Sequence, residues 1–229
     1  MAFPFAIIGF DLDGTLIDTS PDLTAAVNHA LALAERPPLS VEQVETMIGG
    51  GAKHMLAQAL DASGGIKAEA FRPLYKEMLR YYAAHVADGS RPFPGAIEAV
   101  DALRAMGVRV GIVTNKFEAL AVKLLSELGL RDRFECVIGG DTLGTALAKP
   151  HPAGIEAMIE RLGGGRAAFV GDSIYDMEAA RGAGIPAIAV RFGFLLGPVE
   201  ELGADAVIGD YAELLSILSD LALGDPTRR

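Results

Sequence analysis

After residue 94, short apolar segments alternate with segments of helical spacing, and this alternation restricts the possible fold more than any other feature of the chain. The apolar segments predict buried strands at 109–113, 134–138, 167–170 and 187–190. Helices are predicted from residue 95, over 117–128, from about residue 152 and over 176–181. Strands joined by crossover helices lie parallel, so the pattern predicts an α/β fold with a Rossmann-like parallel sheet between helices.

A first strand and a helical block precede this region. The apolar segment 5–10 predicts a buried strand that ends at acidic residues. The following block shows helical spacing throughout and no strand pattern, so we interpret it as an insertion after the first strand. The predicted domains are an α/β catalytic core formed by 1–17 and 89–224, a small all-helical cap formed by 18–88, and a flexible tail at 225–229.

The composition excludes several classes of function. Of the 229 residues, 51% are hydrophobic, and the formal net charge of −10 argues against a stable nucleic-acid partner, which needs clustered cations. Cys136 is the single cysteine, which excludes an internal disulfide and a cysteine-ligated metal cluster. The first apolar segment is too short for a signal sequence or a membrane span, so a cytoplasmic protein without a membrane partner is predicted.

Two acidic residues, Asp11 and Asp13, follow the first strand with one residue between them. In an extended segment, residues i and i+2 point to the same side, so both carboxylates face one small volume. Such a pair suits a divalent cation, or a nucleophile beside a group that transfers protons. The alternative is an ordinary turn with exposed acidic side chains, because Asp and Gly are common in turns.

Polar residues also follow later strands, where ligands bind in open α/β sheets. Thr114 and Asn115 follow one strand, Asp172 and Asp176 follow another, and Lys149 lies in a long connection. A hydroxyl, an amide, an ammonium group and carboxylates at one sheet edge are the groups that phosphoryl transfer requires. Taken singly, the same residues also suit a helix cap, a surface charge and capping acids.

Four motifs, in this order along the chain, resemble those of the haloacid dehalogenase superfamily of aspartate-nucleophile phosphatases. They are Asp11-Leu12-Asp13-Gly14-Thr15, Thr114-Asn115, Lys149-Pro150, and Gly171-Asp172-Ser173 with Asp176. The segments 18–23, 48–52, 113–116 and 149–152 are similar to the phosphoglycolate phosphatase branch of that superfamily. The resemblance extends over about residues 5–195.

The resemblance implies a role for each motif in catalysis. Asp11 is the expected nucleophile, which forms an aspartyl-phosphate, and Asp13 is the expected general acid and base. Thr114, Asn115 and Lys149 are expected to bind the phosphoryl oxygens.

The resemblance also implies Mg²⁺ as a cofactor. Its expected ligands are the carboxylates of Asp11 and Asp172 and the main-chain carbonyl of Asp13. Asp176 is expected either as a further ligand or as a partner of the ligands. A site of oxygen atoms that is rich in carboxylates suits Mg²⁺.

The cap is expected to select the substrate. Gly50 and Gly51 precede a predicted helix, whose first N–H groups suit a substrate carboxylate, although an ordinary turn between helices is the alternative interpretation. Lys53 is a further candidate, because related phosphonate-cleaving enzymes form a Schiff base with a cap lysine. Ile174 and Tyr175 depart from the Arg-Asn or Thr-Asn pair of the phosphoglycolate branch, which affects the expected substrate preference and not the reaction type.

We therefore predict a Mg²⁺-dependent phosphatase that hydrolyses a small phosphate monoester, with 2-phosphoglycolate as the first candidate, through an aspartyl-phosphate. The alternatives are a sugar-phosphate mutase of the β-phosphoglucomutase type, a phosphatase of another small metabolite, and a non-enzymatic phospho-acceptor such as a receiver domain. Dehalogenation is a further alternative, but a halide leaves without the proton that Asp13 would supply. The expected partner is a small phosphorylated metabolite, and the chain is expected to be a monomer or a homodimer.

Overall fold

The computed structural model describes residues 3–223, and the tail predicted at 225–229 lies outside the described residues. The strands are β1 (Ile7–Phe10), β2 (Ile17–Asp18), β3 (Arg91–Pro92), β4 (Arg109–Val113), β5 (Cys136–Ile138), β6 (Ala167–Gly171), β7 (Ala187–Val190) and β8 (Ala206–Ile208). The α-helices are α1 (Ser20–Leu33), α2 (Val41–Glu45), α3 (Ala52–Ala62), α4 (Ala68–Ala84), α5 (Ala96–Ala105), α6 (Glu118–Glu127), α7 (Ala153–Arg161), α8 (Ile174–Gly182) and α9 (Leu214–Leu223). Within residues 3–223, no helix combines the length and the apolar composition that crossing a bilayer demands.

One parallel sheet contains six of these strands, in the order β5-β4-β1-β6-β7-β8. β1 is central, and its Ile7 pairs with Arg109 of β4 on one side and with Ala167 of β6 on the other. The predicted α/β fold is thereby confirmed. The chain adds β4 and β5 on one side of β1 and β6 to β8 on the other, which creates a crevice at the carboxyl ends of β1, β4 and β6.

The five predicted core strands are present, with differences at their ends. The first begins at Ile7 rather than at residue 5, and the strand predicted from residue 134 begins at Cys136. The sequence pattern misses β8 and α9. β8 has three residues and only Ile208 is buried, so this edge strand lacks the continuous apolar pattern of the central strands.

The sheet is covered on both faces, which explains why its central strands are apolar without alternation. Every residue of β1 and of β6 is buried. One face packs against α7 and α8. The other packs against α5, α6 and α9, and this second core is continuous with the buried residues of the cap helices.

The helices α1 to α4 form the helical block, which is inserted between β2 and β3. These two short strands pair antiparallel where the chain leaves and re-enters the core. Asp22 of α1 stabilises the segment where the chain re-enters the core. Its carboxylate accepts hydrogen bonds from the N–H groups of Gly89 and Ser90 and from the Ser90 hydroxyl. The division into a cap at 18–88 and flanking core segments stays a prediction, and both boundaries lie beside this ribbon.

Candidate active site

Three strand ends bring predicted site residues together. Asp11 follows β1, Thr114 follows β4 and Asp172 follows β6. Because β1 pairs with both other strands, the three residues start adjacent connections at one edge of the sheet. All three are buried. A buried carboxylate requires partners, so the neighbours of each residue define the chemistry of the site.

Asp11 lies beside a buried ammonium group. Its Oδ1 is 2.8 Å from Nζ of Lys149, which also donates a hydrogen bond of 2.5 Å to Oδ1 of Asp176. Burial raises the pKa of Asp11 to about 7, and the charge of Lys149 opposes this rise. A further cation beside Asp11 would therefore favour the ionised carboxylate, which is the form that acts as a nucleophile.

Asp172 is held by two hydrogen bonds of 2.8 Å, from the Thr15 hydroxyl to Oδ1 and from the N–H of Phe194 to Oδ2. Burial raises the pKa of Asp172 well above its usual range, and the charges of Asp176 and Asp11 add to the rise. The main chain of the first motif passes close by, and a Cβ on Gly14 would lie 2.3 Å from Oδ2 of Asp172. Glycine is required there, and its φ of +82° is a second reason.

Asp13 has partners of its own. Nζ of Lys116 donates hydrogen bonds to its two carboxylate oxygens at 2.6 and 2.9 Å, and the Thr19 hydroxyl donates to Oδ1 at 2.7 Å. Burial lowers the pKa of Lys116, but attraction to Asp13 outweighs burial, and the net pKa lies above the usual value. Lys116 is not among the site residues predicted from the sequence, although its position directly after Thr114 and Asn115 is a signal for it.

Asp176 caps α8 while it faces the site. Ser173 is the N-cap residue, and its hydroxyl and N–H donate to Oδ2 of Asp176, as does the N–H of Asp172. This capping box starts the helix at Ile174, two residues before the predicted start at 176. The interpretation of Asp176 as a capping acid therefore holds, and its other oxygen, Oδ1, accepts the hydrogen bond from Lys149.

Asn115 connects the core to the cap. Its Nδ2 donates hydrogen bonds to the main-chain carbonyl of Gly49 at 2.9 Å and to that of Lys149 at 3.0 Å. In this structure the side-chain N–H groups of Asn115 are thus directed at two main-chain carbonyl groups, and the binding of a phosphoryl oxygen by Asn115 stays a prediction. The neighbouring Thr114 hydroxyl is buried and accepts a hydrogen bond from the N–H of Lys116 at 3.2 Å.

The carboxylates suit a divalent metal ion. Asp11, Asp172 and Asp176 are buried, and each offers an oxygen within 4.8 Å of the others. Burial is the main cause of the raised pKa values of Asp11 and Asp172, so their ionised forms are unfavourable without further positive charge. A divalent cation among these oxygens would supply that charge, and a set of carboxylate oxygens suits a hard cation.

A cavity of about 490 Å³ lies between the sheet edge and the cap. From the core, it is lined by Asp11, Asp13, Thr114, Asn115, Lys116 and Lys149. From the cap, it is lined by Gly49, Gly50, Gly51, Lys53 and apolar side chains that include Leu23, Met55, Met78 and Leu79. The structure therefore places the cap residues predicted from the sequence on the same cavity as the first three core motifs, with Lys53 exposed to solvent. Asp172 and Asp176 are not among the described residues that line this cavity.

Tyr175 contacts the glycine segment of the cap. A Cβ on Gly49 would lie 3.6 Å from its ring, and a Cβ on Gly50 would lie 3.3 Å from its hydroxyl oxygen. Tyr175 is not one of the residues that line the cavity in the described part of the chain. Its departure from the resembled pattern therefore affects the support of the cap segment rather than the cavity wall.

Comparisons with known proteins show which family and which relatives this chain is similar to. Residues 5–184 match the family model of the haloacid dehalogenase-like hydrolases. The phosphoglycolate phosphatases of Agrobacterium fabrum and Caulobacter vibrioides are 42% and 41% identical to this chain, over 94% and 91% of its length and 92% and 89% of theirs. The crystal structure of a predicted phosphoglycolate phosphatase from Haemophilus somnus is 31% identical and superimposes with a TM-score of 0.87, covering 93% of this chain and 98% of that one.

Proposed function

Because this chain belongs to the haloacid dehalogenase-like hydrolases, we propose that it is a Mg²⁺-dependent phosphatase that converts 2-phosphoglycolate and water to glycolate and inorganic phosphate. The enzyme class is that of the phosphoric monoester hydrolases. The support for the substrate is the identity of about two residues in five to proteins named phosphoglycolate phosphatase, over nine-tenths of the chain.

One structural observation gives the main support for the proposed reaction. Asp11 and Lys149, both buried and 2.8 Å apart, face a cavity that also receives Asp13 and Thr114. A nucleophile, a cation for the phosphoryl oxygens, a hydroxyl donor and a second carboxylate for proton transfer thus share one volume. Phosphoryl transfer requires this combination of positioning and electrostatic stabilisation.

In the first half of the reaction, an oxygen of Asp11 bonds to phosphorus, and the bond from phosphorus to the ester oxygen breaks. Lys149 and the Thr114 hydroxyl stabilise the negative charge on the phosphoryl oxygens. Asp13 transfers a proton to the ester oxygen, so glycolate leaves with a neutral hydroxyl group. The product of this half is an aspartyl-phosphate on Asp11.

In the second half, a water oxygen bonds to phosphorus and the bond from phosphorus to Asp11 breaks, which releases inorganic phosphate. Asp13, now ionised, accepts the proton from water and is ready to act as an acid again. In the free enzyme, hydrogen bonds from Lys116 and Thr19 hold the Asp13 carboxylate in one place before the substrate binds. The ordering of Asp13 is therefore part of the proposed mechanism.

We propose that the carboxylates of Asp11 and Asp172 and the main-chain carbonyl of Asp13 hold the Mg²⁺. When bound, the ion would supply positive charge that offsets the negative charge of the nucleophile and of the phosphoryl group. Asp176 already accepts hydrogen bonds from Lys149 and from its own capping turn. We therefore assign Asp176 to holding Lys149 in place rather than to binding the ion directly.

The experiment that tests this proposal measures inorganic phosphate release with Mg²⁺ and with EDTA. The substrates are 2-phosphoglycolate, a hexose phosphate, a nucleotide and phosphonoacetaldehyde. We expect the highest kcat/KM for 2-phosphoglycolate and loss of turnover in EDTA. A higher kcat/KM for another phosphate ester, or isomerisation of a hexose phosphate without phosphate release, would reject the proposed substrate.

We further propose that the enzyme acts in the cytoplasm, on a free metabolite and without a stable nucleic-acid or membrane partner. The net charge of −10 supports a small substrate whose negative groups are bound by a few enclosed lysines rather than by a basic surface. A monomer or a homodimer stays the predicted state, which sedimentation in solution distinguishes.

A further inference from the structure

The proposed reaction at phosphorus gives the buried cation beside Asp13 no ligand other than Asp13 itself. Within residues 3–223, the lysines that line the cavity are Lys53, Lys116 and Lys149. Lys149 lies between two core carboxylates, at 2.8 and 2.5 Å, and Lys53 is exposed on the cap. Lys116 is buried, and its ion pair among the described residues is with Asp13. Its charge is therefore available to a ligand that replaces Asp13.

The position of Lys116 matches the chemistry of the proposed substrate. Its Nζ lies within 2.9 Å of both oxygens of Asp13, the group that exchanges a proton with the ester oxygen. In 2-phosphoglycolate, one CH₂ group joins the ester oxygen to the carboxylate carbon. A substrate whose ester oxygen meets Asp13 therefore brings its own carboxylate close to the same ammonium group.

The surroundings of Lys116 strengthen its pull on an anion. Its Nζ lies 4.7 Å from the centre of the Tyr82 ring of α4, and the apolar side chains of Leu23 and Met78 line the same cavity. Charges attract more strongly in such surroundings than in water.

The start of α3 approaches the same place from the cap. A Cβ on Gly51, the N-cap residue of α3, would lie 3.7 Å from the main-chain oxygen of Asn115, the residue before Lys116. Gly51, at the start of this helix, therefore lies against the loop that carries Lys116. Helix N-termini favour negative groups, so the two features act in the same direction.

We propose that Lys116 is the specificity-determining residue of this enzyme, binding the carboxylate of the substrate and selecting phosphorylated carboxylic acids over uncharged phosphate esters. The inference rests on the proposed function, because it concerns the same cavity and reaction. Lys116 holds Asp13 in the free enzyme and transfers its ion pair to the substrate carboxylate on binding. The specificity of the cavity then comes from a core loop, with the cap enclosing the pair.

The first test compares 2-phosphoglycolate with ethyl phosphate, which has a methyl group in place of the carboxylate. We expect Lys116→Met to lower kcat/KM about 100-fold more for 2-phosphoglycolate than for ethyl phosphate, mainly through KM. Lys123→Met removes an exposed lysine of α6 and is the matched control, with an unchanged ratio between the substrates. Equal losses for both esters would overturn the inference and show that Lys116 acts only by holding Asp13.

A second test removes the effect of Lys116 on Asp13. The single variant Asp13→Asn is compared with the double variant Asp13→Asn, Lys116→Met. The double variant lacks both members of the ion pair, so it leaves no buried charge without a partner. The assay substrate is p-nitrophenyl phosphate, and 2-phosphoglycolate and ethyl phosphate are added as competitive inhibitors of its hydrolysis. We expect the added Lys116→Met change to raise the inhibition constant of 2-phosphoglycolate about 100-fold and that of ethyl phosphate less than about threefold.

The two tests separate the inference from the function on which it rests. A wild-type enzyme without preference for 2-phosphoglycolate over ethyl phosphate rejects the proposed substrate, whatever the variants do. A wild-type preference that survives in the double variant overturns the role of Lys116 and leaves the proposed phosphatase activity in place.

Discussion

The two walls of the cavity are built differently. On the core wall, Asp11, Lys149 and Asp176 are buried, and Nζ of Lys149 lies 2.8 Å from Asp11 and 2.5 Å from Asp176. On the cap wall, the lining residues are mainly apolar side chains and the backbone of the segment 49–51, and Lys53 is exposed. Each charge on the core wall depends on its neighbours, whereas the cap wall has no such network among the described residues.

This difference determines how much substitution each wall tolerates. Removing one member of a buried charge network leaves the others without partners, so the core wall tolerates little change. Apolar and backbone contacts adjust more easily, so the cap wall can accept other substituents without loss of the chemistry. Asn115 and Lys116 lie where the walls meet. Asn115 donates a hydrogen bond to the cap, and Lys116 donates one to Asp13. The loop after β4 thus joins the two regions.

The largest effect is expected from Asp11→Asn on the core wall. The variant keeps the size of the side chain but removes the nucleophile, so kcat should fall by at least about 10⁴-fold. Phosphate release with Mg²⁺ measures the loss, and circular dichroism with thermal melting checks that the fold is retained. Turnover close to that of the wild type would contradict the assignment of Asp11.

Asp13→Asn is expected to have the next largest effect, and the effect should depend on the leaving group. For an alkyl phosphate, kcat should fall by about 10²- to 10⁴-fold, because the leaving alkoxide needs a proton. For p-nitrophenyl phosphate, whose leaving group is stable as an anion, the loss should be much smaller. Equal losses with both substrates would argue that Asp13 is not the general acid.

Gly14→Ala tests how closely the core wall is packed. The new Cβ would lie 2.3 Å from Oδ2 of Asp172 at a φ of +82°, and we expect a loss of about 3 kcal/mol in the free energy of unfolding. Gly164→Ala is the control, since its φ is +73° and no atom lies within 4 Å of the added Cβ. We expect Gly164→Ala to cost about 1 kcal/mol. Similar melting temperatures for the two variants would show that contact with Asp172 is not limiting.

The pH dependence of stability tests whether Asp11 on the core wall keeps its proton in the folded state. The pKa of Asp11 is raised from 3.8 to about 7, so between these values the folded state keeps a proton that the unfolded state has lost. In EDTA, the wild type should therefore lose stability as pH rises through this range, by about 2 kcal/mol or more at pH 7 relative to Asp11→Asn. Thermal melting at a series of pH values measures this difference.

Addition of Mg²⁺ should have the opposite effect on the pH dependence of stability. The ion favours the ionised carboxylate, so it should raise the melting temperature of the wild type increasingly as pH rises, and that of Asp11→Asn much less. A pH-independent difference between the two proteins in EDTA would mean that Asp11 is already ionised without the metal.

The smallest effect is expected on the cap wall, from Lys53→Met. Because Lys53 is exposed, its contact with a bound anion is screened by water, and KM should rise less than about threefold with kcat unchanged. A Schiff-base lysine would behave differently, since its loss would abolish cleavage of phosphonoacetaldehyde and prevent trapping by borohydride. Kinetics with 2-phosphoglycolate and with phosphonoacetaldehyde distinguish these interpretations.

The sequence predicts the core wall better than the cap wall for a physical reason. Apolar strands followed by polar residues mark the sheet edge directly, so the sequence pattern alone identifies Asp11, Thr114 and Asp172. Lys116 is missed because its position after Thr114 and Asn115 marks it only as a neighbour of the site, and no local pattern shows whether a lysine in a connection is buried. The edge strand β8 is missed because it is short and only partly buried.

The sequence by itself determined the alternation of strands and helices, the inserted helical block and the order of the four motifs, because these depend on the local spacing of apolar residues and on residue types. Only the tertiary structure decided which charged side chains form ion pairs. The order of strands in the sheet places Lys149 between Asp11 and Asp176, and the packing of the cap over the loop after β4 buries Lys116 against Asp13. Such pairings depend on distances between residues far apart in the chain, which local spacing does not specify.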